Sequence, residues 1–567
     1  MGQNCRTFMG QYPDLCEYIK SFKFRVPGFK SNRSRGEVEH CISLISNGME
    51  TDFKQEVPKE KVIRKKDFGV KMIKNKLELY LQKATVYPQI YYFCFMTQAS
   101  YPKYFIPDYS GKLPDRRLEV RADKLARQLS QIPCSSIRKL SSNPAEHKAN
   151  LRFLNNERVE EEALIKEASV RVGQLVTDRH VLVVTDTCEV NMSGHKGRLK
   201  PNSGLGRSDK SDTAHCFKVH PGMVMDSVNL SPLGFSWIKV FHRDEQMPDR
   251  NERNYKKQAI EEKESHKWIE VAQKSKEVLE KAATVTFIED REGDIYEQFA
   301  LIPDQKSHLI IRSRTTRKLA NGNSLYAEVE SAPVAGVYTI EVPTDKRKKQ
   351  YRREATIELR FTTCEIKCPS NISKKGYPPS ITVTCISAKE TGNVPNPISW
   401  RLLTTHSVEN FGEALQIVFW YTVRWYIEQV FRLLKKQGFG IEESELESGW
   451  ALRKLVVMQL SALLKILQMN IAYSQPEGGQ PIDEVFDAEQ IEVLHKLDRK
   501  LQGDTQKLRN SNDPKTTKWA TWIIARLGGW KGYDSQGPPG VIVLKRGLER
   551  LGFIIEGIRL EKDVGTR

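Results

Sequence analysis

The spacing of apolar and polar residues changes character several times along the chain, and each change marks a different kind of element. Residues 1–107 alternate charged stretches with an aromatic run, Tyr91-Tyr92-Phe93-Cys94-Phe95, and carry no motif. Between residues 115 and 171 apolar side chains fall at helical spacing through Leu118, Leu125 and Leu129, and Asn143-Pro144-Ala145-Glu146 supplies a capping residue and a first-turn proline. This predicts a small basic helical domain over residues 108–175. From His180 the period changes: Val181-Leu182-Val183-Val184 is an unbroken apolar run, as in a strand buried on both faces, and it ends on Thr185-Asp186-Thr187. Strands are expected over residues 216–225 and 234–242, then a charged helix over about 261–283. A second buried strand, Thr284-Val285-Thr286-Phe287-Ile288, runs into Glu289-Asp290-Arg291-Glu292-Gly293-Asp294. Both apolar strands therefore finish on acid.

A third strand, Leu309-Ile310-Ile311-Arg312, leads into β-rich segments at residues 338–342, 355–367, 381–387 and 398–404, expected to form an inserted sheet within about 318–405. Helices are predicted over about 411–436 and 449–472, and a C-terminal region carries helical text at 519–527 and 544–551 around Gly528-Gly529-Trp530 and Gly537-Pro538-Pro539-Gly540. The chain thus divides into an extension (1–107), a helical domain (108–175), an α/β domain holding the inserted sheet (176–445) and a C-terminal helical domain (446–567).

Composition narrows the chemistry. Among 567 residues, 89 Lys and Arg against 71 Asp and Glu leave a formal charge of +18, which favours a polyanionic partner, above all nucleic acid. The longest mostly apolar stretch, residues 455–469, is crossed by Gln459 and Lys465 and falls short of the roughly 20 residues of a membrane span; no membrane role is expected. No charged-then-apolar leader follows Met1-Gly2, so export is not expected either. Ten widely spaced cysteines read as reduced thiols. Cys364, Cys368 and Cys385 would make three zinc ligands, but a fourth at metal-site spacing is missing.

The stretch around residue 424 carries the most chemistry. Tyr421, Arg424, Glu428 and Lys435 interrupt an apolar and aromatic run, and at about 100° per residue a single helix would project all four from one stripe about 60° wide. A hard divalent cation such as Mg²⁺ takes oxygen ligands, and Asp186, Asp290 and Glu428 can supply them from two strand ends and a helix. Arg424 and Lys435 would hold phosphate oxygens, the first through its planar fork, and Tyr421 can donate to phosphate. Each acid alone has a plainer reading: Asp186 can cap its turn and Asp290 can pair with Arg291. Together with the cationic stripe they point to phosphodiester chemistry.

The spacing Tyr421-x2-Arg424-x3-Glu428-x6-Lys435 resembles the Y-R-E-K signature of bacterial cut-and-paste transposases of the DDE class, in the insertion-sequence group to which the Tn-five element belongs. Supporting text is similar in order: Asp186-Thr187, Glu264-Ser265-x2-Trp268, Asp290-Arg291-Glu292-x-Asp294-Ile295-Tyr296, Trp400-x-Leu402-Leu403-Thr404 and Leu527-Gly528-Gly529-Trp530. The likeness runs from about residue 108 to about 555. It implies an RNase H-like catalytic core with an inserted β-domain, flanked by an N-terminal helical DNA-binding domain and a C-terminal helical dimerisation domain. It assigns Asp186, Asp290 and Glu428 as metal ligands for two Mg²⁺ ions, with Mn²⁺ as a possible substitute. It implies nicking at the element's inverted repeats, hairpin formation and opening, and strand transfer, carried out by a homodimer on paired double-stranded DNA ends. Tyr421, Arg424 and Lys435 would hold the non-transferred strand, and Trp400 and Trp425 match positions that accommodate a flipped base; core packing is the competing reading for both. The expected location is the cytoplasm, on the nucleoid. Residues 1–107 have no counterpart in the likeness.

Six of the eight residues in Lys346-Arg347-Lys348-Lys349-Gln350-Tyr351-Arg352-Arg353 are basic and lie between two predicted strands, which suggests a hairpin turn facing phosphate. Arg312, Arg314, Arg317 and Lys318 follow the third core strand and would guide DNA, and Arg116, Arg117 and Arg121 are candidates for terminal-repeat contact. Gly204-Leu205-Gly206 reads as a flexible loop near the active site rather than a nucleotide-binding turn. Two other functions use the same residues: a structure-specific nuclease, which would need the acids but not the cationic stripe, and an inactive DNA-binding relic, which would not need the acids.

Overall fold

The structure, a computed structural model, describes residues 107–208, 215–243, 258–342, 352–435, 437–505, 508–533 and 536–565. The helical text after residue 115 forms α1 (Arg116–Gln131), α2 (Ile137–Leu140), α3 (Pro144–Asn155) and α4 (Glu161–Gly173). The Asp115 side chain accepts from the Arg117 backbone N–H, and Asn143 does the same for Glu146, satisfying donors that the first helical turn leaves open. Ala122, Leu125, Ala126 and Leu129 form the buried stripe of α1.

Ten strands make one mixed sheet: β1 (His180–Thr185), β2 (Cys188–Asn191), β3 (Cys216–Asp226), β4 (Pro232–Phe241), β5 (Thr284–Glu289), β6 (Ser307–Arg312), β7 (Gly336–Val342), β8 (Arg353–Lys367), β9 (Ser380–Glu390) and β10 (Ser399–Thr404). Their order is β2-β3-β1-β5-β6-β10-β9-β8-β7, with β4 paired to β3. At the centre β1, β5 and β6 run parallel, and every other pairing is antiparallel. The segments expected as an inserted sheet are therefore not separate. Leu402 to Thr404 of β10 pair with Ile310 to Arg312 of β6, so backbone hydrogen bonds carry the core sheet straight into β7–β10. Sequence alone misses this because the joining strand, β10, comes last.

The crossover to β5 is α5 (His266–Val278), and α6 (Tyr296–Leu301) and α7 (Leu325–Ser331) follow β5 and β6. Strand alternation sorts the core into two faces. Val181, Val183, Val285 and Phe287 join Ile269 and Ala272 of α5 and Phe299 of α6 in one apolar cluster. Leu182, Val184 and Ile288 join the other, with Ile417 of α8 (Phe411–Thr422), Ile427 and Val430 of α9 (Trp425–Leu434), and α10 (Gly449–Ser474). By the same parity Asp186 and Asp290 belong to the face of α9, and Glu289 to that of α6.

The predicted helix over 411–436 is two helices, because Arg424 and Ile427 bond back to Tyr421 and Arg424 over three residues instead of four and tighten the turn at Val423. α10 is the one helix among the described residues long and apolar enough to cross a membrane, and 89% of its most apolar window is buried inside the fold. Around it pack α1, α4 and, at the C-terminal end, α11 (Ile482–Val485), α12 (Ala488–Leu501), α13 (Thr517–Leu527) and α14 (Val541–Gly565). The Gly204-Leu205-Gly206 segment is pinned: Gly206 bridges Cys216 at the start of β3, and Gly204, at φ +87°, lies against the Trp450 indole where a Cβ would collide.

Candidate active site

Asp186 stands one residue beyond β1 and Asp290 one residue beyond β5. The strands pair in parallel with Val184 opposite Ile288, and carrying that register on by two residues sets Asp186 opposite Asp290, at roughly the 4.8 Å interstrand spacing. Local backbone holds each carboxylate: Asp186 accepts from the Thr187 N–H at 2.7 Å and Asp290 from the Glu292 N–H at 2.8 Å. Burial and the charge of Asp290 push the Asp186 carboxyl up to about 6, with Glu428 adding to the rise and Arg424 opposing it. Asp290 is likewise raised by burial, with Arg424 and Lys267 pulling the other way. Two half-buried acids near each other thus hold their charge less readily than exposed ones, even with Arg424 and Lys267 nearby.

The third acid arrives through Arg424. Its Nη1 donates to Asp186 Oδ2 at 3.0 Å and its Nη2 donates to the Glu428 carboxylate one turn further along α9. The guanidinium thus joins Glu428 to Asp186. Among the described residues no group of three His, Cys, Asp or Glu side chains is arranged to hold a metal ion; the space between two of the three carboxylates is taken by this guanidinium. Cys364, Cys368 and Cys385 are free thiols in or beside β8 and β9 and form no zinc site there.

Beside the carboxylates lies an aromatic and cationic wall. Tyr421, 4% exposed, meets Trp400 edge-on at 5.3 Å between ring centroids, and the Arg312 guanidinium lies 6.0 Å from the Trp400 ring while donating to the Ser399 carbonyl. Trp425, next to Arg424, is 58% exposed.

The single four-residue stripe is not what forms. Tyr421 is buried at the end of α8, and Lys435 sits in extended backbone just past α9, its Nζ 3.7 Å from the Glu442 carboxylate. Helical projection fails for Lys435 because the helix stops at Leu434. Arg314 is exposed and its N–H donates to Asp294, whereas the Arg317 side chain is spent on the buried Asp294 carboxylate and is not an open phosphate ligand. Arg116 and Arg117 stand exposed on the first turn of α1, Arg117 3.5 Å from Asp115; Arg121 turns inward toward Asn150 and Glu146. Lys346, Arg347, Lys348 and Lys349 lie outside the described residues. The strands that flank them pair antiparallel with Val342 opposite Arg353, and Arg352 and Arg353 are engaged by Glu341 and Glu390.

Two groups near the acids escaped the sequence reading. Lys267, buried on α5, places its ammonium 3.4 Å from Glu292 and 3.7 Å from Glu264. His220, fully buried on β3, shares a hydrogen bond of 3.0 Å with the Thr187 hydroxyl beside Asp186 and meets Trp268 edge-on. Their only sequence signal is a polar residue inside otherwise buried text, too common to single out.

Residues 110–159 match the family model for transposase DNA-binding, a segment that includes Arg116 and Arg117. Residues 237–465 match the family model for the transposase DDE domain, which takes in Asp290 and Glu428 and begins after Asp186. Among solved structures, a piggyBac transposase synaptic complex with hairpin DNA is similar at 9% identity and a TM-score of 0.30, over 77% of this chain and 76% of that one. The chain thus carries a transposase DNA-binding segment and a transposase DDE domain in one polypeptide, and the DDE domain marks it as an enzyme that cleaves DNA and transfers its strands.

Proposed function

We propose that this transposase mobilises an element of the Y-R-E-K insertion-sequence type by cut-and-paste chemistry at inverted repeats, with Asp186, Asp290 and Glu428 as its reacting centre. The observation that carries the reading is that Asp186 and Asp290 follow the ends of adjacent parallel strands, near enough for the charge of Asp290 to raise Asp186, with Glu428 brought to Asp186 through Arg424. The sheet order about β1, β5 and β6 with α5 as crossover supports an RNase H-like core, and the matched segment at residues 110–159 supports a DNA-binding role for the first helices.

The donor set fits a hard divalent cation: three carboxylates, two of them half-buried and raised by desolvation, Asp186 also by the charge of Asp290. Asp186, Asp290 and Glu428 would hold Mg²⁺, or Mn²⁺ in its place, as two ions. Such ions supply neutralisation of the phosphoryl oxygens and an activated water or hydroxyl at neutral pH. The chain's own residues do the rest. Arg424, released from the two carboxylates, presents its fork to a phosphate of the non-transferred strand. Tyr421 and Arg312 fix the Trp400 ring, which with the exposed Trp425 offers a face for a base turned out of the duplex, as hairpin formation at an element end requires. Lys435 reaches phosphate from beyond α9 once freed from Glu442. Attack by water, then by the freed 3′-hydroxyl, gives nicking, a hairpin, its opening and strand transfer without a covalent enzyme intermediate. Action as a homodimer on two paired ends, with contacts through the C-terminal helices, and a place on the nucleoid in the cytoplasm complete the proposal.

The test is incubation of the full chain with DNA carrying the repeats that flank its reading frame, in Mg²⁺, with nicks and hairpins mapped on sequencing gels. Asp290→Ala and Glu428→Ala should each abolish nicking and leave end binding within about twofold. Wild-type nicking by either variant removes the assignment, and nicks without hairpins leave a nuclease-like reaction in place of the cut-and-paste course.

A further inference from the structure

The acid that precedes Asp290 is as buried as any residue in the protein. Glu289 closes β5 with no exposed surface and points to the opposite face of the sheet, toward α6. There Gln298, equally buried, donates from Nε2 to Glu289 Oε1 at 2.6 Å. The remaining polar atoms of the pair, Glu289 Oε2 and Gln298 Oε1, have no hydrogen-bond partner. A buried, half-satisfied polar pair costs free energy relative to apolar side chains of the same shape, and packing alone gives no reason to keep it.

Its surroundings supply one. The turn that carries Asp290 folds directly over the Glu289 side chain. At Gly293 a Cβ would run into Glu289 Oε2 and lie 2.9 Å from its Cβ and 3.1 Å from its Cδ, so the turn closes only with glycine there. Within the turn Gly293 N–H donates to the Asp290 carbonyl at 3.2 Å and Glu292 N–H to the Asp290 carboxylate at 2.8 Å. On its far side Asp294 is tied to Arg317 and to the Arg314 N–H. The carboxylate of Asp290 is thus aimed by a turn whose floor is the Glu289 side chain, clamped in place by Gln298.

We infer that Glu289 and Gln298 form a positioning pair that fixes the Asp290 turn, and through it the affinity of the reacting centre for its divalent cation. The inference rests on the proposed role of Asp290. Glu289 touches neither DNA nor cation and acts through the backbone of residues 290–293. Substitutions behind a metal-holding side chain typically cost roughly 10- to 100-fold in metal affinity or activity.

The experiment titrates Mn²⁺ into the full chain on end DNA, by calorimetry, and measures the Mg²⁺ dependence of nicking in parallel. Glu289→Ala and Gly293→Ala, confirmed folded by circular dichroism and melting, should weaken Mn²⁺ binding about 10-fold or more and raise the Mg²⁺ needed for half-maximal nicking to match, with DNA affinity unchanged. Glu289→Gln keeps the shape and the acceptor for Gln298 and should stay within about threefold of wild type. Gln298→Leu should behave like Glu289→Ala. Wild-type cation affinity in Glu289→Ala overturns the inference, as does a Glu289→Gln variant as impaired as the alanine, which would assign the effect to charge. Asp290→Asn separates the two readings: active Asp290→Asn sinks the proposed reacting centre, whereas inactive Asp290→Asn beside a normal Glu289→Ala sinks only the pair. Should Glu289→Ala fail to fold, Gln298→Leu decides instead: wild-type cation affinity in that variant overturns the inference.

Discussion

Arg424 is the side chain that ties two of the three proposed ligands together. Its fork satisfies Asp186 and Glu428 together, so a divalent cation entering between the carboxylates competes with a guanidinium already there. Removing it leaves two acids without their counter-charge. In Arg424→Ala, Mn²⁺ should therefore raise the melting temperature more than in the wild type, while nicking falls by about 100- to 1000-fold, the scale of losing one positioned donor to a reacting phosphate. An equal or smaller Mn²⁺ shift in the variant counts against the competition. The residues were legible to different degrees. Asp186 and Asp290 could be read because an apolar strand that stops on an acid leaves it at the sheet edge, and Glu428 because it is the lone acid of an apolar helix. Lys435 was misplaced by one residue of helix length, and Lys267 and Glu289 were invisible because their significance lies in what packs on them.

At the scale of elements, α10 shows how much a single helix can carry. It buries almost every side chain: the half-buried Lys465, held by Gln490 at 2.9 Å and by the Phe486 ring, is lowered to about 8 by desolvation, and Gln468 is fully buried with neither amide atom partnered. Burying an amide without partners costs about 1–3 kcal/mol, and an apolar side chain of similar shape avoids that cost. Gln468→Met should thus be neutral or stabilising by about 1 kcal/mol in urea unfolding, and a loss of stability would mean that the amide is satisfied in solution. Sequence spacing found α10, β1, β5 and β6 because long uninterrupted apolar text has few alternatives. It misjudged the break between α8 and α9, where one tightened turn at Val423 ends the first helix without a proline or glycine to announce it.

At the scale of the whole molecule, the ends of the central strands opposite the acids are fastened by histidines. His180 of β1 and His406 after β10 both share hydrogen bonds with the Thr286 hydroxyl of β5, and His308 of β6 stacks on His406 at 4.1 Å beside Trp420. Burial, then the neighbouring ring charges, lowers His180 to about 4 and His406 to about 3, and burial lowers His308, with Asp226 and Asp304 pulling the other way on His180 and His308. The unfolded chain takes up these protons near pH 6.5, so their stabilising contribution is complete above that pH and is lost as pH falls toward about 4. Urea midpoints should drop over that window, and His406→Gln should flatten the drop; an unchanged slope would rule the cluster out as its source. DNA binding is the other whole-molecule property. Replacing Lys346 to Lys349 by alanine should weaken it and reduce its salt slope by about 0.9 for each phosphate that is no longer neutralised. An unchanged slope would return that run to solvent.

By itself the amino-acid order determined the elements and their chemistry: which stretches are long and apolar enough to be buried strands and helices, and which acids stand where they end. Those are local properties, set by side-chain period and backbone hydrogen bonding. Tertiary structure alone decided the pairing of β10 with β6, the guanidinium bridge between acids 242 residues apart, Asp186 and Glu428, and the turn folded over Glu289. Each depends on contacts between distant segments, and the free energy of such contacts comes from close packing and burial that only the assembled sheet and helices provide.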